Sequence, residues 1–148
     1  MKWKLVHLWM AIVLAMVAVA GSAPQPVRAI GSILHVIPTG GATSGPCTAA
    51  DWTDACDLQY ALSIAAADDQ VWVAEGTYKP GSSRSDFFNI LPDVQVYGGF
   101  DGTEGTLSER DWLSNATILS GEIGTAAETD NIYTIVLINA SAAAPVTD

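Results

Sequence analysis

Two carboxylates that lie 23 residues apart, Asp86 and Glu109, are the residues whose chemistry and spacing best suit catalysis. When two carboxyl groups are held close together, the charge on one raises the pKa of the other. Such a pair can act as acid and nucleophile in the hydrolysis of a sugar. The alternative is an exposed pair whose repulsion is relieved by Arg84 or Arg110. The pattern alone therefore assigns no catalytic residue.

A second acidic pair lies in the glycine-rich segment GGFDGTEG. Asp101 and Glu104, with nearby backbone carbonyls, offer the hard oxygen ligands that Ca²⁺ prefers. The segment lacks EF-hand spacing, so a turn with solvated carboxylates is the alternative. A phosphate-binding loop is disfavoured, because it needs a Lys and a Ser or Thr entering a helix, whereas these acidic side chains repel phosphate. No cofactor other than this candidate Ca²⁺ is predicted.

The chain has two cysteines, Cys47 and Cys56, which are nine residues apart. Outside the cytoplasm, a closely spaced pair of cysteines favours a disulfide. In the entropy model, such a bond restricts the unfolded chain and so raises the free energy of unfolding by roughly 2.5–3 kcal/mol. A metal site is disfavoured, because the nearest histidine is His35 and no further Cys or His pair completes four ligands. Two free, buried thiols are the alternative.

The N-terminal residues have the order of a secretory signal peptide. Lys2 and Lys4 precede an apolar run at residues 5–20, and VRA at residues 27–29 suits cleavage. We therefore predict a signal peptide at residues 1–29 and a secreted or cell-surface domain at residues 30–148. The alternative is an uncleaved membrane anchor, although the run is slightly shorter than the ~20 residues of a membrane span.

The mature chain is strongly acidic. Cleavage after residue 29 leaves three Lys and Arg residues against 16 Asp and Glu residues, a net charge of −13. A surface of this charge repels nucleic acid and anionic membranes. We therefore predict no nucleic-acid partner and no membrane span after cleavage, and the length suits a single domain.

Only one segment has the period of an α-helix. Apolar residues from Leu58 to Ala65 recur at positions i, i+3, i+4 and i+7. Thr53 or Asp54 can cap the start of this helix, and Asp57 suits the positive end of its dipole. The side chains of residues 68–69 compete for the backbone and end the helix.

Short β-type runs follow at a fixed interval. VWVAEG, VQVYGG and TILSGE begin at Val71, Val94 and Thr117, so each begins 23 residues after the previous one. A repeat of this length is typical of a solenoid, and β-type units without a leucine-rich skeleton favour a parallel β-helix. A small antiparallel meander with coincidental spacing is the alternative.

The repeat also predicts which side chains stack. Two columns should point inward, Val71–Val94–Thr117 and Val73–Val96–Leu119. Three side chains should point outward, those of Trp72, Gln95 and Ile118.

Several of these segments resemble a known family. DLQYALSIAAADDQVWVAEGTYKP, VQVYGGFDGTEGTLSERDW and NATILSGEI are similar to bacterial surface proteins with right-handed parallel β-helix repeats. That family has the pectin-lyase-like fold and is related to polymorphic outer-membrane protein repeats. The resemblance covers about residues 47–135. It implies an all-β, right-handed parallel β-helix with coils of about 23 residues, an α-helix at residues 57–66 that caps it, and downstream coils of a longer parent chain.

Two functions follow from this resemblance. The first is a non-catalytic segment with a structural, adhesive or glycan-binding role, whose partner is an extracellular glycan or surface protein. The second is the N-terminal part of a polysaccharide lyase or glycoside hydrolase. The aromatic residues offer a surface on which sugars could stack, and Trp72 is the one expected to face outward. The more frequent role of aromatic side chains is to cover the core.

Overall fold

The computed structural model describes residues 31–125 and 129–139 of the 148-residue chain. The predicted signal peptide, residues 1–29, lies outside the described residues. The elements in chain order are β1 (Ile33–Val36), α1 (Leu58–Ile64), β2 (Gln70–Ala74), β3 (Gly76–Tyr78), β4 (Phe88–Ile90), β5 (Gln95–Phe100), a 3₁₀ helix (Leu107–Glu109), β6 (Thr117–Leu119) and β7 (Val136–Ile138).

The strands form three small sheets, and every named strand pair within the described residues is parallel. The largest sheet has the order β1–β2–β5, while β3 pairs with β6 and β4 pairs with β7. The antiparallel meander is therefore not the fold of these residues.

The prediction of an all-β, right-handed parallel β-helix with 23-residue coils is wrong. The strands belong to sheets of two or three strands, and no closed β-helix or other solenoid is found in the described residues. Val71 pairs with Val96 and not with Val94, and a register shift follows at residues 73–74. Thr117 pairs with Gly76 in a different sheet. Equal spacing in the sequence does not fix the register of the strands, which depends on side-chain packing and on this irregularity.

The helix was predicted in the right place, but it is shorter than residues 57–66, and the prediction of Thr53 or Asp54 as its N-cap is wrong. α1 begins after Asp57, whose side chain accepts a hydrogen bond from the backbone N–H of Tyr60 at 3.2 Å, so Asp57 is the N-cap. The backbone of Ala65 is already extended. Asp69 accepts a hydrogen bond from the backbone N–H of Ala66 at 2.8 Å, but the helix has already ended before this contact and therefore before residues 68–69. The buried face of α1 packs into the main core.

The β1–β2–β5 sheet has a hydrophobic cluster on each face, because successive side chains of a strand point to opposite sides. On one face, Val71 and Val73 are buried with the apolar residues of β1 and α1. On the other face, Trp72 and Phe100 pack with Trp52, which comes from the loop before α1. Strand β2 is therefore covered on both sides.

The predicted disulfide is confirmed. Cys47 and Cys56 are bonded, both are fully buried, and their Cα atoms are 5.5 Å apart. Backbone hydrogen bonds hold both cysteines to β1, since His35 donates to the carbonyl of Cys47 at 2.7 Å and accepts from Cys56 at 2.8 Å. A disulfide is consistent with a secreted protein folded in an oxidising environment. Among the described residues, no helix has the length and apolar character that crossing a membrane requires.

Candidate functional site

The structure gives the two predicted catalytic carboxylates separate, local partners. Asp86 accepts a hydrogen bond from the backbone N–H of Ser83 at 2.9 Å. Glu109 accepts from the backbone N–H groups of Gly105 and Thr106, at 2.8 and 2.9 Å. These bonds, that of Thr106 first, hold the pKa of Glu109 below its ordinary value. In the described part of the chain, no hydrogen bond or strand pairing links Asp86 to Glu109.

The two candidate Ca²⁺ ligands form a turn. Glu104 is buried, and its carboxylate accepts hydrogen bonds from the backbone N–H groups of residues 101–103 at 2.7–3.1 Å. Asp101 accepts from the backbone and the hydroxyl of Thr103, at 2.8 and 2.6 Å. Within residues 31–125 and 129–139, no group of three or more His, Cys, Asp and Glu side chains is placed to hold a metal ion. Calcium binding stays a prediction.

Trp72 does not supply an exposed sugar-binding surface. Its side chain points away from Val71 and Val73, as the strand alternation predicted, but it is only 3% exposed. Its ring stacks on Phe100 at 4.8 Å, with an angle of 10° between the planes. Trp52, which lies in the loop before α1, also packs on the ring of Phe100. Strand alternation cannot reveal such a covering loop, so the expectation of exposure was wrong.

One exposed aromatic surface lies around Trp112, whose side chain is 66% exposed. The guanidinium of Arg110 lies 5.4 Å from the centre of the Trp112 ring and 5.2 Å from that of Tyr97. These distances fit cation–π interactions. Leu107 and Ser108 complete a shallow cleft of about 490 Å³ beside Arg110 and Trp112. We call Tyr97, Arg110 and Trp112 the aromatic–arginine surface.

Strand β5 fixes the backbone of this surface by a close approach at Gly99. The backbone N–H of Asp111 donates to the carbonyl of Gly99 at 2.7 Å. A Cβ on Gly99 would lie 2.9 Å from the backbone N and Cα of Trp112, and Gly99 also has a φ of +94°. Both observations require glycine.

Asp111 orders the turn that follows Trp112. Its carboxylate accepts hydrogen bonds from the backbone of Leu113 and Ser114, at 3.0 and 3.2 Å, and from the Ser114 hydroxyl at 2.8 Å. These bonds, that of the Ser114 hydroxyl first, lower the pKa of Asp111. Trp112 is therefore exposed on a turn that is hydrogen-bonded on both sides.

Sequence reasoning did not single out Trp112 or Arg110 as a binding surface. The sequence pattern assigns Arg110 only to the carboxylates, and it does not distinguish Trp112 from the other aromatic residues. Residues 110–114 carry a sequence pattern that could have revealed this surface. Asp111 stands between Arg110 and Trp112, and Leu113 and Ser114 follow. Such an Asp often accepts hydrogen bonds from the backbone two or three residues later, which places its neighbours on a turn.

A buried histidine marks a second feature of the molecule. His35 is only 3% exposed, and its ring centre lies 4.4 Å from Trp52 and 5.6 Å from Trp72. Burial lowers the pKa of His35, while the charges of Asp54 and Asp51 and the backbone of Ala49 oppose this shift. The imidazole is therefore favoured in its neutral form.

Comparison with known proteins does not identify the chain. No family model, no curated protein and no solved structure matches it. The resemblance to bacterial surface repeat proteins stays a prediction, and the proposals below are based on the geometry of the described residues.

Proposed function

We propose that the protein is a secreted or cell-surface module that binds an extracellular glycan through the aromatic–arginine surface and does not catalyse a reaction. The observation that carries this proposal is the exposed indole of Trp112 on an ordered turn. A large aromatic ring that protein atoms cover only in part offers an apolar face to a ligand. The C–H face of a pyranose ring complements such a surface.

Order in the turn favours binding, because a side chain that is already positioned loses less conformational entropy when a ligand arrives. The Gly99 carbonyl anchors the backbone on one side of Trp112, and the carboxylate of Asp111 anchors it on the other. Tyr97 and Arg110 extend the surface beside the indole.

Arg110 adds polar recognition. A guanidinium carries five N–H donors in a fixed plane, which suit the oxygens of sugar hydroxyl groups. The chain carries a net charge of −10, which repels a long polyanion. The favoured ligand is therefore a neutral oligosaccharide.

The non-catalytic form of the proposal is supported by the local bonding of the carboxylates. A general acid needs a raised pKa near the working pH. Glu109 has the opposite shift, because its carboxylate accepts backbone hydrogen bonds. The lyase or hydrolase alternative has no comparable supporting observation.

Secretion is supported by the disulfide and by the signal-like order of residues 1–29. The test is mass spectrometry of the protein recovered from the growth medium or the cell surface of an expressing bacterium. An N-terminus near Ile30 is expected. Mature protein that still begins at Met1 or Lys2 would contradict cleavage.

Binding is tested by replacing Trp112 with Ala. A set of immobilised neutral oligosaccharides identifies a ligand, and calorimetry then compares the purified variants. We expect W112A to weaken binding at least tenfold, because it removes the apolar face of the surface. A matched control is L113A, since Leu113 is the neighbouring residue and is 85% exposed. Equal losses in the two variants, or unchanged binding in W112A, would refute this surface as the glycan site.

A further inference from the structure

Two glutamines lie side by side next to the aromatic–arginine surface. Gln70 of β2 pairs in register with Gln95 of β5, so their side chains point to the same face of the sheet. The hydroxyl of Tyr97 donates a hydrogen bond to Oε1 of Gln95, and the ring of Tyr97 lies 5.2 Å from the guanidinium of Arg110. The glutamine pair is therefore continuous with the proposed glycan site.

Each glutamine has its side-chain oxygen occupied by an aromatic donor two residues later on the same strand. The indole N–H of Trp72 donates to Oε1 of Gln70 at 2.9 Å, as the hydroxyl of Tyr97 does to Oε1 of Gln95. Because an indole N–H can only donate, it requires the oxygen of Gln70 at that position and not the nitrogen. Both carboxamides are therefore held with their NH₂ groups directed away from these contacts.

The two NH₂ groups can be reached by a ligand. Within the part of the chain that the structure describes, Nε2 of Gln70 and Nε2 of Gln95 donate no hydrogen bond. Gln95 is an exposed residue. Gln70 is half-buried, but its Nε2 is not among the described side-chain atoms that are both buried and unpaired.

The spacing of the two strands suits a single acceptor atom. Parallel side chains that keep the strand spacing place their NH₂ groups about 4.8 Å apart. If each nitrogen lies about 2.9 Å from one shared oxygen, the two donors meet there at an angle of about 110°. This angle is close to that between the two lone pairs of a carbonyl oxygen, which accepts two hydrogen bonds.

The chemistry of the donors favours a neutral carbonyl group. A hydroxyl in the same place would have to direct its own hydrogen away from both NH₂ groups, whereas a carbonyl oxygen has no hydrogen. A carboxylate could also accept two hydrogen bonds, but the net charge of −10 repels an anion. Among neutral sugars, the acetamido group supplies a carbonyl oxygen of this kind.

We propose that Gln70 and Gln95 form an acetamido subsite of the aromatic–arginine surface, so that the glycan bound there contains N-acetylhexosamine residues. The two Nε2 groups donate to the carbonyl oxygen of one acetamido group, while another residue of the same oligosaccharide packs on the indole of Trp112. This inference rests on the proposed glycan-binding function and adds the class of sugar that the site selects.

The test compares two neutral probes that differ only in this group. Triacetylchitotriose and cellotriose have the same backbone of β-linked glucose rings, but the first carries acetamido groups where the second carries hydroxyl groups. Calorimetry with the full chain should show that the acetylated trimer binds at least tenfold more tightly. Equal binding of the two trimers, or binding of another oligosaccharide but not of the acetylated trimer, would overturn the subsite and leave the proposed function intact. Absence of binding to any oligosaccharide would overturn both.

Two variants locate the preference. Q95E and Q70E keep an oxygen for the Tyr97 hydroxyl and the Trp72 indole N–H, but each replaces the donor NH₂ by a second oxygen. Both should reduce the preference for the acetylated trimer to below threefold. Since both probes are neutral, the ratio of the two affinities reports the lost donor and not the added charge. W112A should weaken both trimers.

A folding control accompanies these variants. The indole N–H signal of Trp72 in ¹H–¹⁵N spectra should stay in place in Q95E, because Gln95 is exposed and does not contact that indole. Q95E therefore gives a valid answer even if Q70E disturbs the sheet. A folded Q95E that keeps the full tenfold preference would overturn the acetamido subsite.

Discussion

His35 is the residue whose ionisation should affect stability most visibly near neutral pH. Burial holds its pKa below the ordinary value of 6.5, although the charges of Asp54 and Asp51 oppose the shift. Above pH 6.5 the imidazole is neutral in both folded and unfolded chains. As the pH falls below 6.5, the unfolded chain takes up the proton first, so the free energy of unfolding decreases.

We therefore expect the free energy of unfolding to decrease as the pH falls below 6.5, and H35F to lack this part of the decrease. Urea denaturation at a series of pH values measures it. The carboxylates of Asp51, Glu109, Asp111 and Asp130 should not interfere. Their pKa values are lowered from 3.8 or 4.5, so the stability they contribute is lost only at more acidic pH. An identical pH profile in H35F would contradict this assignment.

At the scale of single residues, some features could be predicted from the sequence and others could not. The disulfide could, because two closely spaced cysteines in a chain with a signal-like N-terminus favour a bond, and Cys47 and Cys56 are bonded. The exposure of Trp72 could not, because it depends on Trp52 covering the sheet from a distant part of the chain. The burial of His35 against Trp52 and Trp72 likewise depends on three-dimensional packing and leaves no sequence pattern.

At the scale of elements, Gly99 in β5 connects the sheet to the aromatic–arginine surface. Gly102 is a useful control, because it also has positive φ, +96°, yet nothing lies within 4 Å of a Cβ built there. G102A should therefore cost only the backbone strain of an alanine in this region, about 1 kcal/mol. G99A adds a contact of 2.9 Å with the backbone of Trp112.

We expect G99A to lower the free energy of unfolding more than G102A and to weaken oligosaccharide binding as well. The cause is that the backbone of residues 111–112 must move away from β5 to admit the methyl group. Chemical denaturation and calorimetry measure the two effects. Equal destabilisation by the two variants, with binding intact in G99A, would show that the close approach does not position Trp112.

The elements also show why strand positions were easier to predict than strand pairing. The runs that begin at Val71, Val94 and Thr117 overlap β2, β5 and β6 and contain all their residues except the first of β2 and the last of β5. Local composition determines where a chain is extended, because β-branched and aromatic residues favour strands. Pairing depends on which faces are buried together, and equal spacing in sequence does not specify that. Thus Thr117 pairs with Gly76, although the 23-residue interval placed it above Val94.

At the scale of the whole molecule, β2 separates two hydrophobic clusters, and the loop closed by the disulfide covers one of them. The loop carries Trp52, whose indole N–H donates to the carbonyl of Glu104 at 3.0 Å. Cys47 and Trp52 both have a φ of +61°, a backbone conformation that is unfavourable for residues other than glycine. The bond between Cys47 and Cys56 therefore holds the loop in a backbone conformation that its residues do not favour by themselves.

Replacing both cysteines with alanine should therefore affect more than the loop itself. Without the disulfide, the unfolded chain gains conformational entropy. In the entropy model this gain lowers the free energy of unfolding by roughly 2.5–3 kcal/mol. Release of the loop should also uncover Trp52 and Trp72, which are 6% and 3% exposed in the folded chain. We expect C47A/C56A to unfold at lower denaturant and its tryptophan fluorescence to shift to longer wavelength under native conditions. Strands β4 and β7, which pair in a separate sheet, should keep their amide hydrogen-exchange protection. Loss of protection across all three sheets at once would instead show that the disulfide loop and the rest of the domain unfold as a single cooperative unit.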